Sequence, residues 1–173
     1  FFGGADTIEA LAEPHGRHDL LPGGTALFSG AGGPMGQMHV QRALEVPNRP
    51  RRVVVTDLDR GRLNHIQDRF GELARANGVQ LFTLAPDDVS SSGGMNEALR
   101  SLAPEGYTDI VLCAPVAGIV AEMLPLAADY AFVNIFAGVP IGKTADIRLS
   151  DLCRGLKLIG SSGSRTSDLR NVL

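Results

Sequence analysis

At 173 residues, 44% hydrophobic and 20% charged, the chain is the size of one compact domain and too apolar for disorder. With 16 basic against 19 acidic residues the net charge is −3, so no basic field draws in nucleic acid or anionic lipid. Two cysteines, Cys113 and Cys153, argue against a disulfide scaffold or zinc knuckle and make a reducing cytoplasm the default. No stretch approaches the roughly 20 apolar residues of a membrane span, and the first residues lack the layout of a secretory signal.

From the amino end, Asp6 and Glu9 have capping-box spacing ahead of Ile8, Leu11 and Ala12, which predicts a short leading helix ended by Pro14. Residues 15–24 read as loop. Thr25 to Ser29 is a short apolar run between glycines, a buried first strand. A helix follows from Pro34 or Met35 to about Glu45, with Gly36, Val40, Ala43 and Leu44 on one face. The β-branched run Arg52 to Thr56 is the second strand, ending at Asp57. Leu63, Ile66, Phe70, Leu73 and Ala74 then form a helical stripe stopped by Asn77-Gly78. The third strand is Val79 to Leu84.

Residues Pro86 to Gly94 read as a polar connection, followed by a helix from Met95 to Leu102. Asp109 to Ala114 is the fourth strand, Gly118 to Leu124 a helix cut short at Pro125, Ala131 to Ile135 the fifth strand and Leu156 to Ile159 a sixth. The alternation predicts an α/β doubly wound fold, an approximately six-stranded parallel sheet with helices on both faces. Its ligand site then lies beyond the carboxyl ends of the strands. The chain divides into residues 1–24 (helix and connecting loop), 25–166 (the α/β domain) and 167–173, which read as a helix cut in its first turns. A start at Phe1 without methionine agrees with a piece of a longer protein.

The strongest chemical signal is Gly30-Ala31-Gly32-Gly33-Pro34-Met35-Gly36, between the first strand and its helix. Glycines let backbone approach a phosphate, and free N–H groups at the helix start attract the anion. The spacing fits the G-x-G-x-x-G fingerprint imperfectly: counted from Gly30 it runs G-x-G-x-x-x-G, and counted back from Gly36 it has Ala31 in the place of the first glycine. Asp57 lies 21 residues after Gly36 at the end of the second strand, where an acid accepts hydrogen bonds from adenosine ribose hydroxyls. Turn, helix, strand and acid in that order predict a dinucleotide cofactor. Asp57 repels a 2′-phosphate and favours NAD over NADP, whereas Arg60 and Arg62 could pair with that phosphate and reverse the preference.

These residues resemble the Rossmann cofactor-binding domain of the medium-chain, alcohol-dehydrogenase-like reductases, above all the zinc-dependent branch of sugar and polyol dehydrogenases that includes sorbose-1-phosphate reductase. Carrying the likeness are Gly32 to Gly36, Asp57 with Arg62, Ala114-Pro115, Asn134-Ile135-Phe136-Ala137-Gly138 and Gly160-Ser161-Ser162-Gly163. The resemblance implies that Arg62 helps hold the adenosine ribose, that turns at Ala114, Phe136 and Gly160 line the nicotinamide half, and that the domain dimerises near the sixth strand. It further implies a zinc-bearing catalytic domain that this chain lacks: Cys113 and Cys153 lie 40 residues apart and no ligand set accompanies them. The expected role is therefore cofactor binding for hydride transfer to or from a small alcohol or sugar, with little turnover by the chain alone.

The remaining candidates read more plainly. His15 and His18 suit an exposed loop rather than a metal, His39 a partly exposed helix position, and Met35 and Met38 packing. Ser161, Ser162 and Ser164 read as turn residues, and the pairs Asp57-Asp59 and Asp87-Asp88 as hydrated loop carboxylates. Two rival functions stay open: an S-adenosylmethionine-dependent methyltransferase, and a non-enzymatic module that senses NAD(H). An antiparallel hairpin after the fifth strand would favour the former.

Overall fold

Short apolar runs alternating with amphipathic helices assemble, in the computed structural model, into one six-stranded sheet; residues 20–89 and 94–160 are described. The strands are β1 (Thr25–Ser29), β2 (Arg52–Thr56), β3 (Gln80–Leu84), β4 (Tyr107–Leu112), β5 (Ala127–Ile135) and β6 (Lys157–Gly160). Between them run α1 (Pro34–Glu45), α2 (Arg60–Ala76), α3 (Gly94–Leu102), α4 (Gly118–Met123) and the single turn α5 (Leu149–Leu152). The order is β3-β2-β1-β4-β5-β6, with every pairing parallel. β1 and β4 are neighbours at the reversal of strand order, which puts the topological switch point of the sheet at the turns after them. β6 lies parallel to β5, where the methyltransferase rival would place an antiparallel hairpin.

Alternation along the strands feeds two apolar layers. Ala26 and Phe28, Val53 and Val55 face α1 and α2, which contribute Val40, Ala43, Leu44, Leu63, Ile66, Phe70 and Ala74. Leu27, Val54, Ile110, Leu112 and Val133 face the other way, onto Leu99 of α3 and Val120 and Met123 of α4. Both faces of the sheet are thus covered, which is why the strands read as unbroken apolar runs instead of alternating ones. Each fully buried Val, Leu or Phe contributes about 1.5–3 kcal/mol. Gly78, at φ +69°, stops α2 as its sequence predicts.

Several expectations shift. β4 starts two residues earlier than expected and ends at Leu112, because Tyr107, fully buried, pairs with Ala127 and donates its hydroxyl to the Leu99 carbonyl at 2.9 Å. β5 starts four residues earlier, with a register break between Tyr107 and Asp109; its exposed Asp129 and Tyr130 hid this opening from an apolar-run criterion. Leu124–Leu126 continues α4 as a 3-10 turn at Pro125, and α5 is too short for helical periodicity to reveal. Met35 is exposed rather than packed. The leading helix, His15, His18, Ser90 to Gly93, Ser161, Ser162, Ser164 and the terminal helix lie outside the described residues. No helix among the described residues is long and apolar enough to cross a membrane.

His39 departs furthest from expectation. It is 5% exposed, its ring edge-on to Phe136 with centroids 4.4 Å apart and stacked near Phe28 at 6.3 Å. The position falls on the buried stripe of α1, one residue before Val40, so the imidazole serves as a core aromatic. Burial disfavours its charged form and lowers its pKa from 6.5 to about 4. The unfolded chain therefore binds a proton that the folded one refuses: this group's contribution falls as pH drops from about 6.5 to about 4, by about 3 kcal/mol in all. Urea unfolding at pH 7 and pH 4.5 is expected to show this loss in the native sequence, and a correspondingly smaller acid slope in His39→Leu.

Candidate cofactor site

The chain leaves β1 through a left-handed turn. Gly30 has φ +68°, and a Cβ there would stand 2.6 Å from the Cβ of Ala114 in the turn after β4. The two turns at the sheet's switch point are thus in contact, and only glycine fits the first. At the other end of the motif a Cβ on Gly36 would lie 2.3 Å from the Ala31 Cα and carbonyl oxygen, so α1 packs directly on the turn backbone. Tight turn and close packing fall to Gly30 and Gly36; the fingerprint here has one residue more than its usual spacing, and Ala31 is the surface on which Gly36 rests.

Between them, Gly32 meets Asp57. The Gly32 N–H donates to Asp57 Oδ2 at 2.7 Å, and a Cβ on Gly32 would stand 2.6 Å from that same oxygen and 2.8 Å from Arg62 Cβ. Ala31 N–H donates to the Thr56 carbonyl at 3.0 Å, fastening the turn to the end of β2. The second Asp57 oxygen accepts the Asp59 N–H at 3.0 Å. An ionised carboxylate offers about four lone-pair directions, so Asp57 retains acceptor capacity for two further hydroxyls.

α1 begins at Pro34, with Gly33 as its N-cap and neither a side-chain cap nor an acidic residue in the first turn. Its leading N–H groups and the positive end of its dipole thus carry no competing side-chain acceptor. A Cβ on Gly33 would meet nothing within 4 Å, so that flank of the turn is open. Turn, helix start and Asp57 together fit a diphosphate joined to a ribose.

The other predicted residues separate into two groups. Arg62 lies beside Gly32, its Nε 3.6 Å from Asp59 Oδ2 and its side chain 58% exposed. Ala114 joins the site through Gly30, and Pro115 beside it is exposed. The Phe136 and Ala137 N–H groups both donate to the Leu112 carbonyl, at 3.1 and 2.9 Å, which holds the turn after β5 against the end of β4. The Phe136 side chain is committed to the core against His39, so only its backbone can face a ligand. Gly160 ends β6 opposite Ile135, and Ser161 lies outside the described residues.

Two acidic residues do more than hydrate a loop. Asp59 caps α2, accepting the Arg62 N–H at 3.2 Å; an aspartate just ahead of an apolar helical stripe is a cap signal the sequence carried. Asp88 accepts the Ala85 N–H at 2.8 Å through Oδ2 and pairs with Arg60 through Oδ1. Nothing local in the sequence marks that pair, which bridges adjacent strand ends. Cys113, just past β4, donates its backbone N–H to the Ser29 carbonyl; burial and the Asp57 carboxylate push its thiol up to about 12, leaving it neutral. Among the described residues no three His, Cys, Asp or Glu side chains gather as a metal site. A cavity of about 400 Å³ lies at the opposite edge of the sheet, where Arg154 is spent on the Ala127 and Leu124 carbonyls and on Asp129.

The two glycines of the turn should respond differently to a methyl group. Gly36→Ala is expected to cost about 3 kcal/mol, the upper range for overpacking, because the atoms struck are backbone. Gly33→Ala should cost under about 1 kcal/mol, the loss of an adequate N-cap; urea midpoints read both.

No family model matches the sequence. Mannitol-1-phosphate 5-dehydrogenase of Aliivibrio fischeri ES114 is 28% identical over 154 residues, covering 87% of this chain and 36% of that protein. The uncharacterized protein YggP of Escherichia coli K12 is 30% identical over 161 residues, covering 91% of this chain and 37% of that one. The chain therefore spans little more than a third of the curated relatives it matches. Among solved structures, an alcohol dehydrogenase zinc-binding domain protein from Burkholderia ambifaria superposes with TM-score 0.65 at 14% identity, over 91% of this chain and 37% of its own. The short chain alcohol dehydrogenase of Escherichia coli CFT073, complexed with NADH, gives 0.65 at 19% identity over 98% of this chain and 45% of its own. The 2R,3R-butanediol dehydrogenase of Bacillus subtilis gives 0.65 at 16% identity over 96% and 43%. This chain has a Rossmann fold, which it shares with part of these alcohol dehydrogenase structures.

Proposed function

We propose that the chain binds NAD as the cofactor-holding part of a zinc-dependent alcohol or polyol dehydrogenase. The single observation that carries this reading is the 2.7 Å hydrogen bond from Gly32 to Asp57, which brings an anion-accepting turn and a hydroxyl-accepting carboxylate to one point. The likeness to a solved structure complexed with NADH supports a nicotinamide dinucleotide. Bound there, the nicotinamide would accept or deliver hydride.

The chain's own residues have separable duties. The first turn of α1 offers N–H donors and a positive dipole end to the diphosphate. Asp57 accepts from the ribose hydroxyls while Gly32 holds its carboxylate in place, and its charge opposes a 2′-phosphate. The backbone turns at Ala114 and Phe136 after β4 and β5, with the end of β6 at Gly160, would flank the path toward the nicotinamide. Arg62, exposed beside Gly32, lies where it can cover the adenosine ribose. Substrate and zinc belong to the part of such an enzyme that this chain does not span. A polyol or its phosphate is the substrate class suggested by the mannitol-1-phosphate dehydrogenase relative.

Titration calorimetry with NAD, NADP and S-adenosylmethionine tests the reading. NAD is expected to bind, NADP more weakly, and the adenosyl compound not at all; binding of the last alone would overturn the assignment. Asp57→Ser should weaken NAD by about 10- to 100-fold, as expected for losing hydrogen bonds to a charged acceptor, and narrow the gap to NADP.

A further inference from the structure

Two arginines follow Asp57, and each could counter the preference that Asp57 imposes. Arg60 is the first residue of α2, three positions beyond the ribose-facing acid, where a guanidinium would meet a phosphate on the ribose 2′-oxygen. It is instead paired with Asp88. The pairing follows from topology: β2 and β3 run parallel with Thr56 opposite Leu84, so residues 57–60 and 85–88 leave the sheet side by side.

Asp88 is fixed for this task. Its Oδ2 accepts at 2.8 Å the N–H of Ala85, the residue that caps the 3-10 turn Pro86–Asp88, which leaves Oδ1 directed at the Arg60 Nη2. The two side chains are 27% and 39% exposed, so water screens the pair only in part. Arg62 is engaged in turn by Asp59, through a longer and more exposed contact. A 2′-phosphate would therefore meet Asp57, Asp59 and Asp88 with the Arg60 guanidinium already paired and Arg62 held only by an exposed contact to Asp59.

We propose that Asp88 is a specificity-determining residue that acts through Arg60: by holding the guanidinium at the turn after β3, it denies the cation to a 2′-phosphorylated adenosine and keeps the site selective for the unphosphorylated ribose. This rests on the dinucleotide reading above. Asp88 is a positioning residue that need not touch the cofactor.

Calorimetric dissociation constants for NAD and NADP on the whole chain test it, with Asp88→Asn, Arg60→Gln and the double variant. Asp88→Asn is expected to lower the NADP/NAD ratio of dissociation constants about tenfold, through tighter NADP with NAD changed less than about twofold. In the Arg60→Gln background the same change should move the ratio less than about twofold. A ratio unchanged by Asp88→Asn, or shifted equally without Arg60, overturns the proposal. Should Asp88→Asn fail to fold for want of its bond to Ala85, Arg60→Gln alone decides. An unchanged ratio there supports a sequestered Arg60, and a ratio that rises shows Arg60 already serving the phosphate and overturns it. Failure of the unaltered chain to bind either dinucleotide is a separate outcome, which removes the functional reading and this proposal with it.

Discussion

One hydrogen bond organises the carboxyl edge of this sheet: the Gly32 amide donating to the Asp57 carboxylate at 2.7 Å. A bond to a charged acceptor contributes about 1.5–3 kcal/mol, but its geometric consequence matters more. It requires β1 and β2 in register, which the pairing of Ser29 with Thr56 supplies, and a residue without Cβ at position 32. It also requires the turn to double back sharply at Gly30, and the start of α1 to descend on Ala31 through Gly36. Four separate choices in the sequence thus converge on one contact. The contact in turn fixes the distance between the open start of α1 and the Asp57 carboxylate.

Electrostatics around that contact are arranged in pairs. Asp57 is served by two backbone N–H groups, Asp59 by the amide and guanidinium of Arg62, and Asp88 by the Ala85 amide and Arg60. Negative charge therefore sits at the ends of β2 and β3, while the start of α1 carries no acidic side chain. The start of α1 is therefore the part of this edge where an anion would meet the least negative charge. Cys113 contributes no charge, since burial beside Asp57 keeps its thiol protonated.

How much of this was legible in the sequence depends on whether the information was local. β1 and β2 were legible to the residue because glycines or a strand-end acid bound them, and α1 and α2 in outline because their apolar stripes keep helical spacing. The order of glycine turn and Asp57 was legible for the same reason. The division of labour among the glycines was not, since it depends on which backbone atoms α1 strikes. The openings of β4 and β5 were missed because Tyr107 hides a polar hydroxyl in the core, and Asp129 and Tyr130 expose polar surface within a strand. The burial of His39 was not legible locally, because its polarity points to the surface and the rings that enclose it, Phe28 and Phe136, come from two different strand ends. The Arg60–Asp88 pair spans two strand ends, and no local spacing encodes it.

The central pairing of the sheet also bears on how the chain is made. β1, the most enclosed strand, finds one neighbour early in β2, but the other in β4, across a separation of 83 residues between Thr25 and Thr108. A ribosome adding about 5–20 residues per second leaves that edge of β1 without its partner for on the order of 10 s. During this interval Leu27, which shares its apolar cluster with Val54 of β2 but also with Leu99 of α3, Ile110 and Leu112 of β4 and Val120 of α4, is only partly covered. Nascent chains of this topology consequently pass through a stage with a bare hydrophobic strand edge, the kind of surface that chaperones shield and that favours association between unfinished copies.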